Sequence, residues 1–224
     1  MEVFAGAADP EPGDRPQTAA EEIANSISHG AGTLAALTVL PVLVGHALRR
    51  GAGARAVLGA AVFGASVILL YLGSTLYHAL PHGRFKRALR IAEHMAIYFL
   101  IAGTYTPFML GVLRGPLGTA MLSTIWLLTA AGVVFKILGG TRWPRISTML
   151  YLLMGWVVVI GIGPLWRLMP HRGICWLVGG GIAYTVGVVF YARDHDWRYG
   201  HFVWHLFVLA GTTCHFCAVL WYAG

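Results

Sequence analysis

Seven apolar segments, each close to the ~20 residues that an α-helix needs to cross a bilayer, dominate this sequence. They span residues 26–48, 55–80, 89–112, 117–138, 146–168, 173–191 and 200–222. Pro81 stops the second segment, and Pro164 predicts a kink within the fifth. The connections are short, so the pattern predicts an all-α, polytopic membrane protein: a seven-transmembrane-helix bundle forming one domain over residues 21–224.

The composition excludes other classes of protein. Only 11% of the residues are charged, whereas a soluble domain carries about a quarter, so an ordinary water-soluble enzyme does not fit. The formal net charge is +7. The Lys and Arg residues lie between apolar segments, which indicates cations that flank a membrane rather than a nucleic-acid partner. Residues 1–20 contain acids and prolines without an apolar core, so we predict a disordered tail there and no cleavable signal peptide.

The distribution of Lys and Arg predicts the orientation. Ten of these residues fall on the side of the N-terminus and six on the opposite side. The positive-inside rule then places the N-terminus in the cytoplasm and the C-terminus outside, in the plasma (inner) membrane.

One carboxylate, Glu93, lies between Glu22 and Asp194, at the start of the third apolar segment. An acid at a membrane boundary is costly unless it is paired or hydrated, which makes it a candidate functional residue. An acid at a helix N-terminus also suits the helix dipole. Taken alone, Glu93 fits both interpretations equally.

Histidines favour the functional interpretation. His78 ends the second segment, whereas His201 and His205 lie one turn apart on one face at the start of the seventh. Alternating helix directions bring all three to the same side and depth as Glu93. Three neutral imidazoles with an open fourth position form a catalytic zinc site.

Further polar residues point to the same level. Ser74 lies one turn before His78, where its hydroxyl could contact a metal-bound ligand or bond back to its own helix. Glu22, Asn25 and His29 share one face at the start of the first segment and are expected to support the site.

These residues form three motifs whose order resembles the bacterial hemolysin III family, which is related to the progestin and adipoQ receptors and to the alkaline ceramidases. The motifs are Glu22-x-x-Asn25-x-x-x-His29, Ser74-x-x-x-His78 followed by Glu93 and the stretch 101–108, and His201-x-x-x-His205 with residues 206–216. The resemblance covers nearly the whole chain from Glu21 onward.

The resemblance implies seven helices, a cytoplasmic N-terminus and zinc near the cytoplasmic face. It implies that His78, His201 and His205 are the ligands, and that Ser74 and the acid act around a water at the zinc. The family usually has Asp where this chain has Glu93, and the longer side chain could reach that water directly, bind the metal or displace the site slightly.

Three functions are then compared. The first is a zinc-dependent hydrolase of lipid amides or esters, with membrane lipid as its partner and Glu93 as general base. The second is a sensor or regulator of membrane lipid homeostasis, with zinc in a structural role. The third is pore formation or cytolysis, which the predicted permanent spans and missing export signal argue against.

Overall fold

The computed structural model describes residues 15–223, and the part of the predicted tail at residues 1–14 lies outside this range. The described chain is helical and contains no strand. Its α-helices are α1 (Ala19–Arg49), α2 (Ala54–Ala79), α3 (Arg84–Leu110), α4 (Pro116–Gly139), α5 (Pro144–Trp156), α6 (Ile162–Leu168), α7 (His171–Ala192) and α8 (Gly200–Tyr222).

Helix α1 begins before the first apolar segment does. Thr18 caps it: the Thr18 hydroxyl accepts from the Glu21 amide, and the Glu21 carboxylate accepts from the Thr18 amide. Arg15 donates to both carboxylate oxygens of Glu21, at 2.9 and 2.6 Å. Helix α1 therefore begins at Ala19, inside the segment predicted as a tail, and the capping box and ion pair connect Thr18 and Arg15 to its first turn.

The fifth apolar segment forms a broken helix. Between α5 and α6 the chain makes a 3₁₀ turn over Val157–Gly161. Pro164 lacks an N–H, and its ring crowds the carbonyl four residues earlier, at Ile160. The break therefore falls just before the proline that predicted it.

The number of membrane-length apolar helices differs from the prediction. Six are long and apolar enough to cross a membrane, counting Pro144–Leu168 as one, whereas α3 does not qualify. Five charged side chains fall within residues 84–93 of α3. The uncharged part of this helix is limited to residues 94–110, so the described chain has six apolar spans rather than the seven predicted.

The helices are arranged in a ring: neighbours in sequence contact one another, and α8 contacts α1 to close the ring. Helix α1 approaches both α2 and α8 closely at Gly32. A Cβ atom there would lie 2.9 Å from the Tyr71 ring and 2.8 Å from Leu209 Cδ2. This close approach lies about one turn from His29 on α1 and from His205 on α8.

Candidate metal centre

Three imidazoles meet at the end of the bundle where α1 begins. The ring centroids of His78 and His201 are 5.1 Å apart, those of His78 and His205 are also 5.1 Å apart, and those of His201 and His205 are 4.8 Å apart. One nitrogen from each ring lies within 4.8 Å of the other two. The structure thus brings together the three predicted ligands, from the end of α2 and the first turns of α8.

The Nδ1 atom of each ring has a partner of its own. His78 Nδ1 is 2.7 Å from a Glu22 carboxylate oxygen, and His201 Nδ1 is 3.0 Å from Asp194. Because an ionised carboxylate only accepts, both Nδ1 atoms are donors.

His205 follows the same rule. Its Nδ1 atom is 3.0 Å from the Ser28 hydroxyl, which already donates its own proton to the Asn25 carbonyl at 2.8 Å. Ser28 therefore accepts from His205 Nδ1. In all three rings the proton is held on Nδ1, and the lone pair lies on Nε2.

The three Nε2 atoms are buried and have no hydrogen-bond partner among the described residues. Buried polar atoms without a partner are rare and costly. Three lone pairs that converge at ligand spacing, each with its second nitrogen oriented by a hydrogen bond, fit the arrangement of histidines around a metal. These residues could hold a metal ion.

Glu93 and Ser74 lie within the same buried region. A carboxylate oxygen of Glu93 is 3.8 Å from His78 Nε2, beyond direct hydrogen-bond distance. This oxygen and the Ser74 hydroxyl both lack a partner among the described residues. Ser74 differs from its neighbour Thr75, which bonds back to the Tyr71 carbonyl at 2.7 Å. Of the two alternatives for Ser74, the structure shows no back-bond.

The predicted supporting residues have different contacts. Glu22 orients His78, as described above. The His29 ring is fully buried and stacks on His205 with centroids 3.6 Å apart, and with Glu93 and His205 it forms a second group that could hold a metal. The Asn25 side chain instead donates to Gln17 at 2.6 Å, its Oδ1 atom is buried without a partner among the described residues, and its backbone carbonyl accepts from Ser28.

Lys86 was not anticipated from the sequence. Its ammonium group is 2.9 Å from Glu22 and donates to the carbonyls of Tyr77 and Leu80, both at 3.0 Å. It therefore satisfies carbonyls at the end of α2 while it fixes the carboxylate that orients His78. A lysine in a basic helix start carries no sequence pattern that distinguishes this role.

Glu21 joins the N-terminal segment to the loop before α8. Besides Arg15 and Thr18, its carboxylate accepts from the Tyr199 amide at 2.8 Å. Tyr199 has a positive φ of 60° and precedes α8 directly. The Glu21 carboxylate raises the pKa of the Arg15 guanidinium above its usual value. This contact fixes the start of the helix that carries His201 and His205.

Asp194 and Ser28 were also missed. Asp194 was noted only as the next acid after Glu93, and its position in the turn before α8 is the one feature that could have suggested a partner for His201. Ser28 directly precedes His29 in sequence, but its contact with His205 crosses from α1 to α8. No sequence pattern indicated that pairing.

The site opens into a cavity of about 1070 Å³. Glu93, His94 and His201 line it next to the cluster, and the first residues of α3 and α5 line it farther out. A ligand could therefore approach the imidazoles from the N-terminal side of the bundle.

Comparison with known proteins agrees with the motifs. A family described as "Haemolysin-III related" matches residues 17–216. The chain belongs to this family. It is 44% identical over 202 residues to Hemolysin-3 of Bacillus cereus, which covers 90% of this chain and 91% of that protein. It is also 44% identical over 208 residues to a Hemolysin-3 homolog of Bacillus subtilis strain 168, covering 92% and 95% of the two chains.

A more distant relative is human. The monocyte to macrophage differentiation factor of Homo sapiens is 30% identical over 211 residues, which cover 90% of this chain and 84% of that protein. The family and the six apolar helices together identify a multi-pass membrane protein of the haemolysin III type.

Proposed function

We propose that this protein is a zinc-dependent intramembrane hydrolase that cleaves an amide or ester bond of a membrane lipid. The observation that carries the proposal is the set of three unpartnered, convergent Nε2 atoms, each with an oriented Nδ1–H. Three histidines with an open fourth position are the donor set of catalytic zinc. Zinc in such a set lowers the pKa of water to about 7 and polarises a substrate carbonyl.

The protein's own residues provide the proton transfers. Glu93 is buried, and its carboxylate oxygen without a partner among the described residues lies 3.8 Å from His78 Nε2, so it faces the same region as the ligand atoms. We assign Glu93 as the general base that takes a proton from the attacking water. The water oxygen bonds to the acyl carbon, the bond from that carbon to nitrogen or oxygen breaks, and Glu93 returns the proton to the leaving group.

Ser74 and the Nδ1 partners have different roles. The Ser74 hydroxyl has no partner among residues 15–223, so it can donate to the substrate carbonyl oxygen or orient the water. Glu22, Asp194 and Ser28 hold the imidazole rings in place and keep their protons on Nδ1. Such preorganisation reduces the reorganisation that the reaction requires.

The decisive experiment is turnover by purified protein in detergent. Lipid amides and lipid esters are supplied with and without added zinc, and release of fatty acid is measured. We expect zinc-dependent release that Glu93→Gln abolishes while zinc content stays constant. Zinc-loaded, folded wild-type protein that releases no fatty acid from either class would contradict the proposal.

A second function is favoured by one observation. The contacts around the histidines join α1, α2, α3 and the loop before α8, so a metal there would also tie these elements together. A regulator or sensor of membrane lipid composition would use zinc in this structural way. In a deletion strain, a Glu93→Gln protein without turnover that still restores membrane fluidity would support this second function.

Pore formation, which the names of the Bacillus relatives suggest, fits the site less well. Two buried hydroxyls within the bundle bond to their own helix: Thr104 donates to Leu100 at 2.9 Å and Thr106 to Ala102 at 2.7 Å. These groups are not available to line a polar path.

We also propose a plasma-membrane location with the N-terminus in the cytoplasm. The charge distribution supports it, because Lys86 and Arg87 surround the cavity on the N-terminal side. A tag at Glu2 that reacts with an impermeant reagent in intact cells would contradict this orientation.

A further inference from the structure

The cavity beside the metal centre is large enough to identify a class of ligand. At about 1070 Å³ it exceeds the ~300–1000 Å³ typical of small-molecule pockets. Its inner wall includes Glu93 and His201, and its outer wall includes the loop before α5 and the start of that helix. A ligand filling it would extend from the imidazoles to the surface of the bundle.

The charges that line the cavity are unequal. Six cationic side chains and three acidic ones contribute to its wall. Two of the acids are already engaged, because Glu22 contacts His78 and Lys86, and Asp194 contacts His201. Three exposed guanidinium groups have no ion-pair partner among residues 15–223; they are Arg87, Arg142 and Arg145.

Apolar side chains lie next to these cations. Trp143, Ile146 and Met149 line the same cavity and are 48%, 49% and 63% exposed. The Trp143 ring stacks on Phe135 with centroids 5.5 Å apart, which holds the indole at the rim. Positive charge beside an exposed apolar strip suits a ligand with a negatively charged head and hydrocarbon chains.

We propose that the ligand of this cavity, and on the proposed function the substrate, is a membrane lipid with a net-negative, phosphate-bearing headgroup. Arg87, Arg142 and Arg145 bind the headgroup, since the planar guanidinium matches phosphate oxygens in pairs. Trp143, Ile146 and Met149 contact the acyl chains, and the acyl carbonyl faces Glu93 and His201. The inference rests on the proposed function only where the bound lipid is taken as the substrate, because binding itself needs no turnover.

Cations on this face also follow from membrane topology, so the position of each cation matters. Arg84 lies on the same side, one turn before Arg87 on α3, but it does not line the cavity. Both side chains are exposed. A topological or general surface-charge effect would treat the two arginines alike, whereas a headgroup site would distinguish them.

The test measures binding to the full-length protein in neutral detergent. The probes are dioctanoyl phosphatidylglycerol, which is net negative, dioctanoyl phosphatidylcholine, which is net neutral, and glycerol phosphate, which lacks acyl chains. We expect phosphatidylglycerol to bind about tenfold more tightly than phosphatidylcholine. The double variant Arg142→Gln/Arg145→Gln should remove this preference. Arg87→Gln should weaken binding of phosphatidylglycerol several-fold, whereas Arg84→Gln should not. Trp143→Gln should weaken binding of the lipids but not of glycerol phosphate.

Three outcomes would overturn the inference. Equal affinity for the two lipids in the wild-type protein would remove the headgroup preference. Equal losses in Arg84→Gln and Arg87→Gln would indicate general surface charge. Glycerol phosphate binding as tightly as the lipid would indicate a free anion as the ligand. Because binding of the lipids to the wild-type protein and the arginine variants is measured without turnover, loss of hydrolysis and loss of binding remain separate results.

Discussion

Helices α1, α2, α3 and α8 bury many polar side chains, whereas α5 and α7 bury almost none. The polar side chains buried in the first group include Asn25, Ser28, His29, Ser74, His78, Glu93 and His205. Among described residues, Ser147 is the one polar side chain buried in α5, and the buried positions of α7 are three glycines and Ile174. Both groups expose large apolar side chains toward lipid.

The difference shows which part of the bundle carries the chemistry. A polar group inside a membrane protein is stable only where neighbours satisfy it or where a ligand does. In the first group several of these side chains contact another helix, and at the metal centre the Nε2 atoms of His78, His201 and His205 lack a partner among the described residues. Helices α4 to α7 complete the bundle, and the start of α5 and the end of α7 contribute to the outer wall of the cavity.

The largest effect expected is loss of metal on removal of His205. His205→Ala should lower metal affinity by more than the ~10–100-fold that loss of an orienting partner costs, and should abolish activity. The matched control is His215→Ala, further along α8, where the buried ring contacts the Leu177 carbonyl at 3.2 Å instead of the cluster. Metal analysis of purified protein distinguishes the two, and full metal content in His205→Ala would refute the assignment.

The next effect concerns Glu93. Glu93→Gln should retain metal and fold but lower turnover by ~10²–10⁴-fold, the cost of losing a general base. Glu93→Asp should remain active, because it keeps the carboxylate. Glu93 lies nine residues after the start of α3, beyond the first turn in which the helix dipole acts, so the dipole does not account for this buried acid. Unchanged turnover of Glu93→Gln would refute its role as general base.

The orienting partners should have smaller effects on metal binding. Asp194→Asn replaces the carboxylate that accepts from His201 Nδ1, and metal affinity should fall by ~10–100-fold. Asp196→Asn is the control, since that exposed acid contacts only His195 among the described groups, at 3.4 Å. Competition with a metal chelator measures both, and equal affinities would remove Asp194 from the site.

The smallest expected effects are changes in stability that compare packing in the two groups of helices. Gly32→Ala should destabilise the protein by ~1–3 kcal/mol, because its Cβ would press on Tyr71 and Leu209. Gly181→Ala in α7 meets nothing within 4 Å and should stabilise by up to ~1 kcal/mol through helix propensity. Thermal unfolding in detergent compares the pair, and equal shifts would contradict the difference in packing.

Much of the fold could be predicted from sequence because transfer into a bilayer is a property of local composition. The last apolar segment, residues 200–222, coincides with α8, and Pro164 marks the broken helix to within one turn. The membrane span of α3 was harder to predict, since the charged residues of its first turns contribute to the site and do not face lipid. The start of α1 was missed because its capping box involves Thr18 and Glu21, outside the apolar segment.

By itself the sequence determined that the chain forms membrane-length helices and that His78, His201 and His205 lie at one level, because helix length and direction fix the depth of each residue. Only the tertiary structure decided how each helix is rotated about its own axis. That rotation pairs His205 with Ser28, His201 with Asp194 and His78 with Glu22, and leaves Asn25 facing Gln17. Apolar helices with weak polar stripes do not specify this rotation; packing at close approaches such as Gly32 and contacts between distant residues do.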